Sequence, residues 1–316
     1  MIRTAVIGVG YLGRFHAQKY AQLEGSQLVA VADPDGGTRT MLERELKIPG
    51  VADHRLLIGR VDAVSIVTPT PTHHAIARDF LDAGVDVLLE KPITATPGEG
   101  AELVELARRR SRILQVGHLE RFNPVIQAVT PRLKRPRFME SARLAPFRQR
   151  GTDVDVVLDL MIHDIDLILS IVRSPVVAVD AIGSSVFSGE IDIANARLRF
   201  ENGCVANATA SRVSLKTERK LRVFEDDAYL SVDLHQKILT AIRKAEGAVP
   251  EGMPPVSIEE RSFEPGDALK DEIAAFLHSV NTREPPLVSG ADALLALQMA
   301  VQISEQVRQS QARFRN

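Results

Sequence analysis

A single cysteine, Cys204, in 316 residues excludes an internal disulfide framework and any cysteine zinc cluster. An excess of charge of one sign is missing too. Lys and Arg number 39 against 41 Asp and Glu, a net charge of −2 with histidines neutral. That balance argues against a protein whose main partner is nucleic acid. Long apolar runs are absent as well. The greasiest stretch, residues 154–172, is interrupted by Asp155, Asp159, His163, Asp164 and Asp166, which a membrane-spanning helix tolerates badly. Met1-Ile2-Arg3 leads straight into an apolar strand, without the charged leader, apolar core and small-residue cleavage site of a secretory signal. These absences predict a soluble cytoplasmic protein with no nucleic-acid and no membrane partner. What is present is ordinary: 45% hydrophobic and 25% charged residues are globular proportions, and the length suits about two domains.

The first third alternates short runs rich in Val and Ile (4–8, 27–32, 61–67, 85–89 and 113–117) with helical stretches at 12–23, 38–46, 72–83 and 97–110. This alternation describes βαβ units and a parallel sheet covered on both faces. Pro97 opens its helix, where the missing N–H costs nothing. Beyond residue 118 the pattern becomes six consecutive strands at 174–183, 191–200, 204–212, 220–225, 229–234 and 237–242. Glu201-Asn202-Gly203 is a hairpin signal, because Asn-Gly accepts the positive φ angles of a tight turn. A helix around 154–171 precedes these strands, 247–255 reads as a Gly/Pro loop, and helices at 268–280 and 291–309 close the chain. The fold class expected is an α/β Rossmann doubly wound domain, residues 1–119, followed by an α+β domain with an open, mainly antiparallel sheet, residues 120–316.

Gly8-Val9-Gly10-Tyr11-Leu12-Gly13 follows the first strand and opens the first helix. Gly8 permits the tight turn, Gly10 lets backbone approach a pyrophosphate, and Gly13 lets helix and strand pack closely. The helix N-terminus offers unpaired N–H groups to phosphates. Asp33 ends the second strand 20 residues after Gly13, where it accepts hydrogen bonds from ribose hydroxyls. A carboxylate there repels a 2′-phosphate, and no arginine follows directly, so NAD is favoured over NADP. The competing reading is a glycine turn that binds no nucleotide. Two further strands end on the same sheet edge, one before Thr68-Pro69-Thr70-Pro71-Thr72-His73 and one before Glu90-Lys91-Pro92, where open α/β folds bind ligands.

Together these residues resemble the Gfo/Idh/MocA oxidoreductases. The glycine fingerprint, Thr68-Pro69 with His73, Glu90-Lys91-Pro92, and Asp159-x-x-x-His163-x-x-Asp166 occur in that family's order and spacing, and the resemblance covers essentially the whole chain. It implies that Lys91, Asp159 and His163 form the catalytic trio and that Lys91-Pro92 is a cis peptide. It also implies that Thr68, Pro69, His73, Glu90 and Lys91 join Gly8, Gly10, Tyr11, Leu12, Gly13 and Asp33 around the cofactor. One departure is Gly151-Thr152-Asp153-Val154-Asp155, which replaces the glycine-rich loop common before the Asp/His helix.

Asp159, His163 and Asp166 are spaced four and three apart, so a regular helix puts them on one face, amid apolar neighbours that bury it. Buried carboxylates cost free energy unless paired or functional. Zinc ligation is one reading, but a third and fourth ligand are not evident, so no metal is assigned. A satisfied core histidine is another. Alcohol oxidation suits the trio best: an imidazole with an unperturbed pKa of about 6.5 removes a hydroxyl proton near neutral pH. In this scheme Lys91 hydrogen-bonds the same hydroxyl and stabilises charge developing on its oxygen, and Asp159 orients the substrate or the lysine.

Residues 121–152 hold Arg121, Arg132, Lys134, Arg135, Arg137, Arg143, Arg148 and Arg150 against Glu140 alone. Some of these are solvated surface, notably 132–137. Arg143 and Arg148 lead toward the Asp/His helix, and arginines there suit an anionic small molecule through paired N–H donors. Without a basic helix or an aromatic stacking surface, nucleic acid fits less well. The segments 117–124 and 143–166 most resemble the branch of the family that oxidises the 3-hydroxyl of UDP-N-acetylglucosamine ahead of transamination, in a route to amide-rich lipid A. That resemblance gives Arg121, Asn123, Arg143, Arg148 and Asp166 as substrate-binding candidates and a nucleotide sugar as the small-molecule partner. The alternatives are a dehydrogenase of a free sugar or inositol, and a non-catalytic NAD-binding regulator. The strand at 204–212, with Ala206, Ala208 and Ala210 alternating against Val205, Asn207, Thr209 and Ser211, presents a small smooth face that predicts sheet-to-sheet packing in a homodimer or homotetramer.

Overall fold

A computed structural model describes residues 1–148, 154–245 and 255–314. By contacts the chain forms two compact units, Met1–Phe122 with Asp267–Leu297, and Asn123–Gly266 with Gln298–Asn316.

The first unit holds strands β1 (Ile2–Ile7), β2 (Ser26–Ala32), β3 (Gly50–Val51), β4 (Ala63–Ile66), β5 (Asp86–Glu90) and β6 (Leu114–Gly117), and helices α1 (Tyr11–Gln22), α2 (Gly36–Leu46), α3 (His73–Asp82) and α4 (Pro97–Arg110). The sheet is parallel throughout, in the order β3-β2-β1-β4-β5-β6. This is the doubly wound order, whose direction reverses between β1 and β4 and so leaves a crevice at their carboxyl ends. Local chemistry sets several boundaries. Thr96 and Glu99 form a reciprocal capping box ahead of α4, with Pro97 at its first position, so two of the helix's orphan N–H groups are satisfied.

A single domain boundary at 119/120 does not describe the contacts. Helix α7 (Ala268–Thr282), far along the chain from the strands it covers, sends Ile273, Phe276, Leu277 and Val280 into one core with Val6, Val9, Tyr20 and Leu88. An amphipathic helix buries its apolar stripe wherever a complementary surface exists, regardless of chain distance.

The second unit is built on α5 (Pro124–Val129), β7 (Phe138–Leu144), α6 (Ile162–Val172) and strands β8 (Val176–Ser184), β9 (Ile193–Phe200), β10 (Val205–Ser211), β11 (Glu218–Phe224), β12 (Ala228–Asp233), β13 (Ile238–Lys244) and β14 (Val256–Ser262). The sheet runs β14-β13-β12-β11-β7-β10-β9-β8. All its pairs are antiparallel except β7 with β10. The last helix, α8 (Gly290–Phe314), contributes to both units.

Two of these strands carry weak sequence signals. In β7 the buried positions are Met139, Ser141 and Arg143, so a central strand shows no apolar alternation. Strand β14 is exposed along its whole length, and an edge strand with no buried face has no period-2 pattern to read. The Asn-Gly turn also differs in detail. Only Gly203 has positive φ, +87°, and Asn202 instead accepts the Cys204 amide on its Oδ1, so the loop is not the two-residue mirror turn. Of the loop expected at 247–255, all but Pro255 lies outside the described residues, as do Gly151, Thr152 and Asp153.

The alanine face of β10 is fully buried and packs on the helix of its own unit. It is therefore not the surface left for another sheet. The opposite face is polar, with Asn195 donating to Thr209 and Arg197 to Asn207.

Candidate active site

At the end of β1, Gly8 has φ of +81°, and a Cβ there would stand 2.7 Å from both Thr68 Cγ2 and the Val67 carbonyl oxygen. A Cβ on Gly13 would lie 1.9 Å from the Gly8 carbonyl oxygen. Both glycines are required by the chain itself. Gly10 is different: φ is −63° and nothing of the protein lies within 4 Å of a Cβ built there. A glycine that the chain does not need fits the close approach of a pyrophosphate. Gly10 also caps α1 without any side-chain hydrogen bond, and Tyr11 and Leu12 beside it are exposed.

Asp33 anchors this loop. Its Oδ2 accepts the Val9 amide at 2.8 Å and its Oδ1 the Asp35 amide at 2.9 Å. Each oxygen retains a second lone pair for a ribose hydroxyl. Sequence spacing did not mark Arg39, whose guanidinium lies on the Asp33 and Pro34 carbonyl oxygens. The loop's residues thus fit a dinucleotide. Gly10→Ala is expected to keep the wild-type thermal midpoint while weakening NADH binding by about tenfold or more. Gly13→Ala is expected to lose both. An unchanged NADH fluorescence titration in Gly10→Ala would remove the pyrophosphate assignment.

The turns after β4 and β5 sit on the same sheet edge. Thr72 Oγ1 is within 2.7 Å of both Thr68 Oγ1 and the Pro69 carbonyl oxygen. His73 is not at the surface facing a cofactor. It is buried, with Nδ1 at 3.0 Å from the Pro92 carbonyl oxygen and Nε2 at 2.8 Å from that of Thr68, so it staples the two turns together. Burial pushes its pKa down, and the two carbonyls offset part of that. Lys91-Pro92 is cis. Lys91 is half-buried, whereas the Glu90 carboxylate turns inward, accepting the Lys91 amide on Oε2 and facing His16 Nε2 at 3.2 Å.

In the second unit the Asp/His helix is not regular. Residues Val157–Met161 form a π-helical turn that runs into α6. Asp159 sits in that turn and His163 in the first turn of α6, both half-buried. The extra residue per turn changes the facing expected from i, i+4, i+7 spacing, and π turns are frequent at functional sites. Asp155 Oδ1 accepts the Val157 and Leu158 amides, which holds the start of the turn.

Two substrate candidates have other roles. Arg143 is 4% exposed and Asp164 1%, and they form a two-pronged pair at 2.7 and 3.2 Å. The arginine is drawn into the core by a carboxylate that sequence spacing did not single out, so it stands in the interior and not on the surface. Asn123 is buried, caps α5 by accepting the Val125 amide, and donates to the Leu234 carbonyl oxygen. Asp166 is buried as well, Arg121 half-buried and Arg148 exposed. Arg132 and Arg137 pair with Glu259 and Asp226 at the surface, as solvated charges do, and Arg150 lies outside the described residues. Among the described residues, Asp159 and His163 belong to no group of three metal-type ligand atoms within 4.8 Å. No helix of the described residues is long and apolar enough to cross a membrane.

Residues 2–118 match the family model described as an oxidoreductase family with an NAD-binding Rossmann fold, and residues 127–231 match the GFO/IDH/MocA C-terminal domain. The chain is 41% identical, over 96% of each sequence, to a UDP-N-acetylglucosamine 3-dehydrogenase of Acidithiobacillus ferrooxidans. A crystal structure of that enzyme superposes with a TM-score of 0.91 over 97% of both chains at 40% identity. The scyllo-inositol 2-dehydrogenase (NAD(+)) of Bacillus subtilis is 26% identical over 97% of this chain and 94% of its own. The structure of scyllo-inositol dehydrogenase from Lactobacillus casei with bound NAD(H) and scyllo-inositol shares the fold, with a TM-score of 0.82 at 19% identity over 98% of both chains. The chain belongs to the Gfo/Idh/MocA oxidoreductase family, as a dehydrogenase with an NAD-binding Rossmann domain.

Proposed function

We propose that this enzyme oxidises the 3-hydroxyl of UDP-N-acetylglucosamine to a 3-keto sugar with NAD as acceptor. The observation that carries this reading is the 41% identity, spread over 96% of both chains, to an enzyme named for that reaction, against 26% to an inositol dehydrogenase. NAD, when bound, supplies the acceptor for the hydride leaving the carbinol carbon. His163 is the base that takes the hydroxyl proton in oxidation and returns it in reduction. The Lys91 ammonium donates to the substrate oxygen and stabilises the charge that develops there. Asp159 orients the substrate or the lysine. Arg121, Arg148 and Asp166 remain the residues proposed to meet the nucleotide sugar.

The Asp33 carboxylate favours NAD over NADP by repelling a 2′-phosphate. A 3-keto sugar nucleotide is a substrate for transamination, and the setting proposed for the enzyme is a cytoplasmic route to amide-linked lipid A. The exposed polar face of the second sheet is the proposed contact of a homodimer or homotetramer; a monomer in sedimentation at micromolar concentration would refute it. NADH absorbance with UDP-N-acetylglucosamine, myo-inositol and free N-acetylglucosamine tests the substrate. Turnover on the nucleotide sugar alone is expected. Turnover confined to the uncharged compounds overturns this reading, and none on any of the three favours a non-catalytic NAD-binding protein.

A further inference from the structure

Behind the Lys91 turn lies a chain of buried polar groups that the proposed chemistry does not use. Tyr20 OH is 2.8 Å from Ser65 Oγ, Ser65 Oγ is 3.3 Å from His16 Nδ1, and His16 Nε2 is 3.2 Å from Glu90 Oε1. Tyr20, Ser65 and His16 are completely buried. Donors and acceptors can be assigned along the chain in one direction: Tyr20 donates to Ser65, Ser65 to the bare Nδ1 of His16, and His16 Nε2–H to the Glu90 carboxylate. Glu90 accepts the Lys91 amide on its other oxygen at 3.2 Å. Gly117 makes room for it, since a Cβ there would stand 3.0 Å from Glu90 Oε2.

Glu272 of α7 completes the group. It too is completely buried, and one of its carboxylate oxygens lies within 4.8 Å of the facing atoms of His16 and Glu90. Among the described residues, neither Glu272 oxygen meets a hydrogen-bond donor. Gln115 donates only to the Glu272 backbone carbonyl, at 3.0 Å. An ionised Glu272 would therefore be a second buried negative charge beside Glu90 with no hydrogen bond to hold it. As a neutral acid it becomes a donor, and Glu90 is the acceptor at hand. A carboxylic acid kept neutral by an apolar site so that it can donate is a known enzymatic device.

We propose that Glu272 is a positioning residue: as a neutral acid it donates its proton in a hydrogen bond to Glu90 and so holds that carboxylate, and with it the Lys91-Pro92 turn, in place. The positioning half of this statement rests on the role proposed above for Lys91; the protonation half does not. The groups facing Glu272 are His16 and Tyr20 from α1 and Glu90 from β5. Burial, reinforced by the Glu90 charge, raises the Glu272 pKa well above its ordinary value. A raised folded-state pKa contributes stability that is complete below the unfolded glutamate value of about 4.3 and is lost as pH rises toward the folded value.

Glu272→Gln still donates but cannot ionise, and Glu272→Leu does neither. Urea unfolding of wild type and Glu272→Gln at increasing pH from about 5.5 is expected to show the folding constant of wild type falling relative to Gln, by up to about tenfold per pH unit while Glu272 stays protonated in the folded state. A difference that is flat with pH overturns the neutral acid. So does a stoichiometric divalent ion in purified wild type, which would make Glu272 a ligand. For positioning, Glu272→Leu is expected to lower kcat by about tenfold, the effect of one lost hydrogen bond to a charged group, with the Michaelis constant for NAD unchanged. Glu272→Gln is expected to restore kcat. Wild-type turnover in Glu272→Leu, or failure of Gln to rescue, overturns positioning. Should wild type oxidise none of the sugars, the activity reading fails while the urea measurement still decides the proton.

Discussion

His163→Ala is expected to lower turnover on UDP-N-acetylglucosamine by about two to four orders of magnitude, the usual contribution of a positioned general base. Lys91→Ala should cost about two to three orders, as loss of a donor to a developing oxyanion does. NADH binding should survive in both, because the pyrophosphate and ribose contacts proposed for the cofactor come from the Gly8–Gly13 loop and Asp33 rather than from either side chain. Initial-rate NADH absorbance and a fluorescence titration check the two halves separately. Near-normal turnover in either variant ends the assignment of that residue. Loss of NADH affinity in parallel with turnover would mean that the substitution disturbed the fold. The half-buried state of Lys91, His163 and Asp159 suits this work, since a catalytic group has to meet substrate and still be held by the protein.

The largest stability effect should come from a pair outside that trio. Arg143→Leu takes from Asp164, at 1% exposure, the guanidinium that pairs with it in the core, and removing one partner of a buried pair costs about 3–5 kcal/mol. Arg143→Leu with Asp164→Leu is expected to regain most of that loss, because replacing a whole buried ion pair by apolar groups is often close to neutral. Denaturant unfolding of the two single variants and the double variant closes the cycle. The measurement also separates the two roles considered for Arg143. A phosphate clamp would raise the Michaelis constant for the nucleotide sugar with stability unchanged; a core ion pair lowers stability in the single variants and is rescued in the double one.

Much of the first unit was legible because each of its elements announces itself locally. The strands are short Val/Ile runs bounded by turns, the Thr96 capping box and Pro97 mark the start of α4, and the glycine fingerprint sits where β1 meets α1. The second unit was harder to read. Strand β7 buries Ser141 and Arg143 in place of apolar residues, and β14 buries nothing, so neither carries the alternation by which strands are recognised. The π turn at Val157–Met161 has no sequence signature either. Asp159 and His163 were found by residue type and spacing, but their facing along the helix was not.

The same division runs through the site residues. The turn at Gly8, the close packing at Gly13 and the identity of the family were determined by the sequence by itself, since backbone conformation at glycine is a local property and the family's motifs are contiguous in the chain. Whether a polar side chain works at a surface or serves the core was decided by tertiary structure alone. His73 staples two turns, Asn123 caps a helix, Arg143 is claimed by Asp164, and Glu272 faces Glu90 from a helix 182 positions further along the chain. Desolvation is the physical reason: a buried polar group takes whatever partner the fold brings within reach, and chain distance does not limit which one that is.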